Sequence, residues 1–316
     1  MAEHQIVIPH SFTANARETL RRALADLDGA SVVVAETPTE SRDAFETATI
    51  AVSRWLRNEW IEAGENLRWV QAISAGVDHY DLETLEERGI VLTNATGVHA
   101  QPIAEQVLGY MLAFERELLR ARDQQSDGVW RRYEGGELAT KTVGIVGLGA
   151  IGGRVAELAS AVGSTVIGTK RDLESAPDAA DEIYPPSALE TVLSRSDYLV
   201  IACPLTEKTR GLIGWSEIET MPKDAVLVNV ARGEIVHEKA LIEGLQQNRI
   251  AGAALDVFEE EPLAPESPLW DLPNVLVTPH VAGSTPRYYE RVAEIFVENY
   301  AAFREGDLDG MRNRIV

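Results

Sequence analysis

The segment 142–171 constrains the fold of this chain more than any other. Its letters run TVGIVGLGAIGGRVAELASAVGSTVIGTKR. A short apolar strand at 143–146 meets a run of glycines, helical spacing of apolar residues covers 150–162, and a second apolar run begins at Thr165. Gly-x-Gly-x-x-Gly between a strand and a helix indicates a dinucleotide-binding turn, whereas the same letters without that context are a weak signal.

Each glycine of the pattern has a physical role. The first makes the tight turn, the second lets the backbone approach a pyrophosphate, and the third lets the helix pack closely on the strand. The free N–H groups at the start of the helix supply donors for phosphate oxygens. The alternative is a glycine-rich turn in an ordinary βαβ unit. We expect a dinucleotide to contact Gly147, Gly149, Ala150, Ile151 and Gly152.

Length and composition limit the class of protein. The 316 residues suit two domains, and no run approaches twenty consecutive apolar residues, so we expect no transmembrane helix. The start of the sequence, MAEHQIVIPH, does not resemble a signal peptide. A single cysteine, Cys203, excludes an intramolecular disulfide and fits a reducing compartment. We therefore expect a cytoplasmic protein.

The charge is strongly acidic. Fifty Asp and Glu residues face 29 Lys and Arg residues, which gives a formal net charge of −21. Such a surface repels polyanions, so nucleic acid and anionic membranes are not expected as partners. A dense acidic surface that is poor in lysine is typical of salt-accumulating halophilic archaea, where molar cation screens self-repulsion. An ordinary acidic cytosolic protein is the alternative.

Apolar runs alternate with helix-like segments along most of the chain. Strand-like runs lie at 5–8, 31–34, 49–52, 69–73, 90–93, 198–202, 225–230, 251–257 and 275–279. Helical spacing is found at 14–27, 82–88 and 238–247, and from 285 to about 304. This alternation predicts α/β architecture with parallel, doubly wound sheets.

A long helix is predicted from His99 to Gln125. Pro102 lies in its first turn, where a missing N–H does no harm. Its apolar residues form a wide face that we expect to bridge two domains and to remain partly available to a partner subunit. A helix buried wholly within its own chain is the alternative. The face comprises Ile103, Val107, Leu108, Met111, Leu112, Phe114, Leu118 and Leu119.

Three polar residues lie just past the carboxyl ends of predicted strands. Arg232 comes after the run at 225–230, Glu261 after 251–257, and His280 after 275–279. Ligands bind outside the carboxyl ends of strands in open α/β sheets. An arginine can clamp a carboxylate and polarise a carbonyl, and a histidine can exchange a proton near neutral pH. A glutamate beside the histidine would favour the protonated imidazole.

Each of these three residues also has an ordinary interpretation. The arginine could form a surface salt bridge, the glutamate could be solvated, and the histidine could be structural. Together, and downstream of the glycine pattern, they form the set needed to reduce the carbonyl of a 2-oxo acid. A nicotinamide cofactor would supply hydride, and His280 would supply the proton, so reduction should slow as the pH rises.

Cys203 and His79 are the other candidates for chemistry. Cys203 precedes Pro204 and has no histidine nearby in the sequence, so we expect a buried structural thiol. His79 lies between Asp78 and Asp81, but no metal-ligand spacing supports a metal site, and a structural or substrate-loop role is expected. We predict no bound metal.

The chain resembles the family of D-isomer-specific 2-hydroxyacid dehydrogenases. The matching segments cover most of residues 70–285 in the family's order. They read AISAGVDHYD, NATGVHAQPIAE, VGIVGLGAIGGRVA, CPLTEKTRGLIG, AVLVNVARGEIV, AGAALDVFEEEPL and SPLWDLPNVLVTPHVAGST. The resemblance implies a homodimer that uses the helix after His99, and two domains that close over a cleft.

The resemblance also implies roles for individual residues. Arg232 would orient the substrate, Glu261 would be the partner of the histidine, and His280 would donate the proton. Backbone N–H groups near Ala75 and Gly76 would hold the substrate carboxylate. The further positions matching those that line the cofactor in the family are Pro204, Thr209, Val230, Ala231, Asp256, Ala282 and Gly283.

The sequence departs from the family pattern at the end of the second strand of the glycine motif. An acidic residue there normally bonds the ribose 2′-hydroxyl. This chain has Thr169, Lys170 and Arg171 instead, and Lys170 stands where the acid is expected. Two cations can pair with a 2′-phosphate, so we predict NADP as the preferred cofactor, with NAD tolerated. A basic pair on a solvated turn is the alternative.

The sequence thus predicts an NAD(P)-dependent D-2-hydroxyacid dehydrogenase working as a 2-oxo acid reductase. We expect a Rossmann-type cofactor domain at 98–284, inserted into a flavodoxin-like substrate domain at 1–97 and 285–316. A glyoxylate/hydroxypyruvate reductase and a phosphoglycerate-type dehydrogenase are the enzymatic alternatives. For the longer phosphoglycerate dehydrogenases, 316 residues leave no room for a regulatory domain. A non-enzymatic NAD(H)-sensing scaffold is disfavoured by the intact Arg, Glu and His set.

Overall fold

The computed structural model describes residues 3–77, 79–175 and 177–316. The chain divides into two compact units. Unit 1 comprises the chain up to Val98 together with Thr285–Val316, and unit 2 comprises His99–Ser284. Within the described ranges, none of the helices combines the length and the hydropathy that crossing a membrane requires.

Unit 1 is built on a five-stranded parallel sheet with the strand order β2-β1-β3-β4-β5. This order is the flavodoxin-like one. The strands are β1 His4–Ile8, β2 Ala30–Val34, β3 Ile50–Ser53, β4 Trp69–Ala72 and β5 Val91–Thr93. The helices are α1 Ala14–Leu24, α2 Pro38–Phe45, α3 Asn58–Ala63, α4 Leu82–Glu87 and, after unit 2, α11 Tyr288–Glu305. Apolar clusters cover both faces of the sheet, as doubly wound sheets require.

Unit 2 is built on a seven-stranded parallel sheet with the order β12-β11-β10-β9-β6-β7-β8. The strands are β6 Thr142–Val146, β7 Thr165–Thr169, β8 Glu182–Tyr184, β9 Tyr198–Ile201, β10 Val226–Asn229, β11 Gly252–Leu255 and β12 Val275–Val277. The helices are α5 Ala100–Glu115, α6 Leu118–Ser126, α7 Ala150–Ala161, α8 Leu189–Arg195, α9 Trp215–Thr220 and α10 Glu238–Gln246. The order reverses between β6 and β9, which is the switch point where Rossmann-type sheets bind dinucleotides.

The α/β class with two parallel sheets is confirmed, and each predicted strand is present. The prediction of one helix from His99 to Gln125 is wrong. Helix α5 ends at Glu115, and Glu117 adopts a left-handed conformation with φ of 54° before α6 begins. The carbonyl of Glu115 accepts a hydrogen bond from the Gly136 N–H, so the last turn of α5 is satisfied by a segment outside the helix.

The apolar face also stops at this break. None of the α6 residues is buried, and Leu118 is 51% exposed. The buried residues Ile103, Val107 and Met111 all belong to α5, which packs against α7. The face predicted for one long helix is therefore a buried face on α5 followed by an exposed helix.

Candidate functional site

The carboxyl edge of the unit 2 sheet carries most of the predicted site residues. Because the strands are parallel, their carboxyl ends lie along one edge. Gly147 follows β6, Lys170 follows β7, Arg232 lies three residues beyond β10, Asp256 follows β11, and His280 lies three residues beyond β12.

The glycine turn after β6 has the geometry that the sequence predicts. Gly147 has φ of 102°, and a β-carbon there would lie 2.8 Å from the backbone of Cys203. A β-carbon on Gly152 would lie 2.1 Å from the Gly147 carbonyl oxygen. Gly149 precedes α7, and a β-carbon there would meet no described atom within 4 Å. Ala150 and Ile151 open α7, whose first N–H groups have no partner within the helix.

The residues after β7 bind back to the glycine turn. The Thr169 hydroxyl accepts a hydrogen bond from the Gly147 N–H at 3.2 Å, and Thr169 is buried. The Lys170 ammonium donates to the Leu148 carbonyl at 2.8 Å, so its charge lies beside the turn. Arg171 is exposed, and among the described residues its side chain makes no hydrogen bond or ion pair. The Lys170 cation therefore lies next to the turn that would hold the phosphates, and Arg171 follows it in the chain.

The loop that carries Arg232 is fixed by a buried asparagine. Asn229, the last residue of β10, is 1% exposed. The Asn229 side-chain nitrogen donates to the Arg232 backbone carbonyl at 3.0 Å. The Asn229 side-chain oxygen accepts a hydrogen bond from the Ala231 N–H at 3.1 Å. The Arg232 guanidinium is exposed and donates to the Ala231 carbonyl at 2.6 Å. Asn229 is not among the residues predicted from the sequence, although a polar residue that ends the apolar run AVLVN is a signal for such a role.

Asp256 organises the loop that carries His280. The carboxylate is 2% exposed and accepts hydrogen bonds from the N–H groups of Val281 and Ala282 and from the Thr278 hydroxyl. The His280 N–H donates to the Asp256 backbone carbonyl at 2.9 Å. Asp256 was expected to line the cofactor, and in the structure its carboxylate supports the backbone around His280.

His280 and Glu261 form a direct pair. The distance between His280 Nδ1 and Glu261 Oε2 is 2.7 Å. The other carboxylate oxygen accepts from the Phe258 N–H at 3.2 Å, which fixes the orientation of the carboxylate. Because Nδ1 faces the carboxylate, Nε2 is the ring nitrogen left for a ligand.

The environment keeps Glu261 ionised. Burial raises the pKa of Glu261, but the hydrogen bonds from His280 and the Phe258 N–H, together with the charges of His280 and Arg232, outweigh it and leave this pKa below its ordinary value. The charge of Arg232 thus acts on Glu261, and the predicted arginine, glutamate and histidine are brought together in unit 2.

The remaining residues predicted to line the cofactor also lie beyond strand ends. The Thr209 hydroxyl donates to the Pro204 carbonyl at 2.7 Å, which closes the turn after β9. Val230 is buried directly after β10. The carbonyl of Gly283 lies 3.1 Å from His99 Nδ1. All of these positions belong to unit 2.

Ala75 and Gly76 lie in unit 1, in the loop after β4. Both residues are exposed. No described residue accepts a hydrogen bond from their N–H groups, whereas their carbonyls are bonded to Asn94 and Ser74. The resemblance assigns these two N–H groups to the substrate carboxylate. They belong to a loop whose carbonyl groups are held by hydrogen bonds from Asn94 and Ser74.

Cys203 and His79 differ in their surroundings, since Cys203 is buried and His79 is exposed. Cys203 is buried, and burial raises the pKa of its thiol. The His79 ring lies 2.7 Å from the Arg54 carbonyl through Nε2. Asp78, which precedes His79 in the sequence, lies outside the described residues. Across the described part of the chain, no three His, Cys, Asp or Glu side chains are grouped so as to hold a metal ion.

Known proteins provide independent evidence for the class. A family model described as "D-isomer specific 2-hydroxyacid dehydrogenase, NAD binding domain" matches residues 108–282. The chain is similar to a glyoxylate reductase from Aeropyrum pernix, with 38% identity over 280 residues that cover 84% of this chain and 82% of the relative. It is 34% identical to a D-3-phosphoglycerate dehydrogenase from Methanocaldococcus jannaschii over 91% of this chain but only 56% of that relative.

A solved structure supports the same assignment. The D-isomer specific 2-hydroxyacid dehydrogenase from Xanthobacter autotrophicus, in complex with NADPH and MES, gives a TM-score of 0.76 at 29% identity, over 100% of this chain and 98% of that one. The fold and the glycine turn define a dinucleotide-binding oxidoreductase. The chain belongs to the D-isomer-specific 2-hydroxyacid dehydrogenase family.

Proposed function

We propose that this protein reduces 2-oxo acids to D-2-hydroxy acids, with NADPH as the preferred cofactor. The observation that supports this most is the His280–Glu261 pair beside Arg232, on the sheet edge that also carries the glycine turn. The glycine turn fits a dinucleotide because Gly149 leaves space for phosphate and α7 presents free N–H groups. When bound, the nicotinamide supplies the hydride.

The chain's own residues supply binding and the proton. Arg232 binds the substrate carboxylate and polarises the carbonyl. His280 donates its Nε2 proton to the carbonyl oxygen, while Glu261 holds the ring through Nδ1 and stabilises its positive charge. By the family resemblance, the N–H groups of Ala75 and Gly76 would also hydrogen-bond the substrate carboxylate. Oxidation of the hydroxy acid uses the same groups with His280 starting as the base.

A substrate panel tests this proposal directly. Loss of NADPH or NADH absorbance is followed while glyoxylate, hydroxypyruvate, pyruvate, phosphohydroxypyruvate and larger 2-oxo acids are added in high potassium chloride. Glyoxylate and hydroxypyruvate come first because a 38% identical relative is named glyoxylate reductase. No turnover with any 2-oxo acid and either cofactor would leave a nucleotide-sensing scaffold as the better explanation.

The cofactor preference predicts the effect of a charge reversal at Lys170. The Lys170→Asp variant restores the acid that bonds a ribose 2′-hydroxyl and repels a 2′-phosphate. We expect kcat/KM with NADPH to fall by about tenfold or more, the cost of a lost charge-assisted hydrogen bond, while kcat/KM with NADH is maintained or rises. Steady-state kinetics with both cofactors measures this.

Lys239→Asp is the matched control, because Lys239 is exposed on α10 in the same unit and the variant makes the same change in charge. We expect its two kcat/KM values to keep the wild-type ratio. A wild-type enzyme that prefers NADH tenfold, or a Lys170→Asp variant with an unchanged ratio, contradicts the NADP assignment.

We also propose a homodimer that uses α5, α6 and the segment following α6. Apolar side chains are exposed along this part of the chain: Leu112 is 36% exposed, Leu118 51%, Val129 44% and Trp130 94%. Exposed apolar side chains that together form a patch are typical of a surface that a partner covers. Light scattering during size exclusion should give twice the mass of one chain.

We also propose a cytoplasmic, high-salt setting for the protein, based on the single cysteine and the net charge of −21.

A further inference from the structure

The loop after β4 is held through three consecutive carbonyl groups. The Ser74 carbonyl accepts a hydrogen bond from the Ala95 N–H at 3.0 Å. The Ala75 carbonyl accepts from the side-chain amide of Asn94 at 2.6 Å. The Gly76 carbonyl accepts from the Ser74 hydroxyl at 2.7 Å. Each peptide group of this loop therefore has its oxygen bonded to the protein.

Bonding a carbonyl also fixes the direction of the next N–H. In a planar trans peptide, the C=O and N–H groups point in opposite directions. The Ala75 carbonyl and the Gly76 N–H belong to one peptide group, so the bond from Asn94 turns the Gly76 N–H away from Asn94. The bond from Ala95 does the same for the Ala75 N–H. Two successive N–H groups that no described residue accepts from can donate hydrogen bonds to an anion.

Asn94 is itself rigidly held. It is 5% exposed, and its side-chain oxygen accepts from the Thr96 N–H at 3.0 Å. Its N–H donates to the Asn313 carbonyl at 3.1 Å, and the Asn313 side-chain amide donates to the carbonyls of Asn94 and Thr96 at 3.2 and 2.9 Å. With both its backbone and its side chain bonded, Asn94 has one orientation in which its amide faces Ala75.

We propose that Asn94 is a positioning residue for substrate carboxylate binding, acting through the direction of the Gly76 N–H. This inference rests on the proposed 2-oxo acid reductase function. In this proposal the Asn94 side chain raises the affinity for the substrate carboxylate without touching the substrate. Asn94 is not one of the arginine, glutamate and histidine residues named above. The effect belongs to substrate binding and leaves proton donation by His280 intact.

The test is an isosteric change, Asn94→Asp. The new carboxylate keeps the acceptor for Thr96 but faces the Ala75 carbonyl with a second acceptor, so the Ala75–Gly76 peptide turns away. We expect KM for the best 2-oxo acid of the panel to rise about tenfold or more, the range for hydrogen bonds to charged groups. We expect kcat to change much less and KM for NADPH to stay at the wild-type value.

Asn15→Asp is the matched control, since Asn15 is exposed on α1 and the same charge is added to the same unit. Its KM values should equal those of the wild type. Fluorescence of the buried Trp60 and Trp69 reports whether unit 1 is folded. If Asn94→Asp unfolds, Asn94→Ala gives the same KM comparison without an added charge.

The outcomes separate the two proposals. If the wild type reduces 2-oxo acids and a folded Asn94 variant keeps the wild-type KM, the positioning role is overturned while the reductase function stands. Equal losses in kcat and KM for both substrate and cofactor would also overturn it, because they indicate general damage. If the wild type reduces no 2-oxo acid, the proposed function fails and this inference fails with it.

Discussion

His280→Gln is expected to lower kcat for 2-oxo acid reduction by about 10²- to 10⁴-fold, the usual contribution of a positioned general acid. The glutamine amide can still bond Glu261, so the loop should keep its structure, but it has no proton to give at neutral pH. KM for the cofactor should not change. Single-turnover loss of NADPH absorbance measures the chemical step directly.

The pH dependence follows from the state of Glu261. Its lowered pKa keeps the carboxylate ionised at neutral pH, and the interaction with His280 is lost only as the pH falls through that lowered pKa. Reduction consumes the proton that His280 donates and oxidation releases one, so wild-type reduction should slow as the pH rises and oxidation should show the opposite trend. Glu261→Gln removes the negative charge that faces His280 Nδ1, so its pH profile of reduction should differ from that of the wild type.

His237→Gln is the control for this experiment. His237 is exposed at the start of α10, in the same unit, and the hydrogen bonds of the Glu261 carboxylate go to Phe258 and His280. Its rate and pH profile should match those of the wild type. Wild-type reduction rates in His280→Gln would show that another group supplies the proton.

Gly233→Ala is expected to have the second large effect. A β-carbon on Gly233 would lie 1.8 Å from the Phe258 carbonyl carbon and 2.4 Å from the Glu259 nitrogen. These are backbone atoms, so the loops must separate, at a cost of about 1–3 kcal/mol or more in the free energy of unfolding. Gly233 follows Arg232, and the Phe258 N–H bonds Glu261. Moving the Gly233 loop away from the Phe258 loop should displace Arg232 relative to Glu261, and we therefore expect a lower kcat/KM for the 2-oxo acid.

Thermal unfolding and steady-state kinetics check both consequences. Gly153→Ala is the control. Among the described residues its β-carbon would meet only Pro177, at an ordinary 3.8 Å, and alanine is a better helix former than glycine inside α7. Its unfolding temperature should not fall. A Gly233→Ala variant with wild-type stability and kcat/KM would show that the two loops do not depend on this close approach.

The sequence predicted the sheets well because buried parallel strands are nearly continuous apolar runs. It also pointed to Arg232, Glu261 and His280, since each is a polar residue just beyond such a run. The missed strand β8 has three residues, none of them buried, and gives little apolar signal. The break between α5 and α6 depends on a hydrogen bond from Gly136, which lies twenty residues beyond Arg116 and leaves no trace in helical spacing.

The supporting hydrogen bonds were the least predictable part of the site. Asn229 and Asp256 end apolar runs, but their partners are backbone N–H and C=O groups of loops whose course the sequence does not define. The role of Asn94 depends on contact with a loop nearly twenty residues earlier in the chain. Such contacts follow from which strands are neighbours in the sheet, and periodicity alone does not supply that order.

The division of unit 1 into two segments of chain has a consequence for biosynthesis. Strand β5 is flanked by residues 313–316, whose backbone bonds to Leu92 and Asn94, and α11 covers the same unit. All of unit 2 is translated before these residues exist. Since domains fold as units while the chain emerges, the seven-stranded sheet can form first. Until α11 is made, the face of the five-stranded sheet that α1 and α11 cover together has only α1 on it, so part of its apolar surface stays exposed to the end of synthesis.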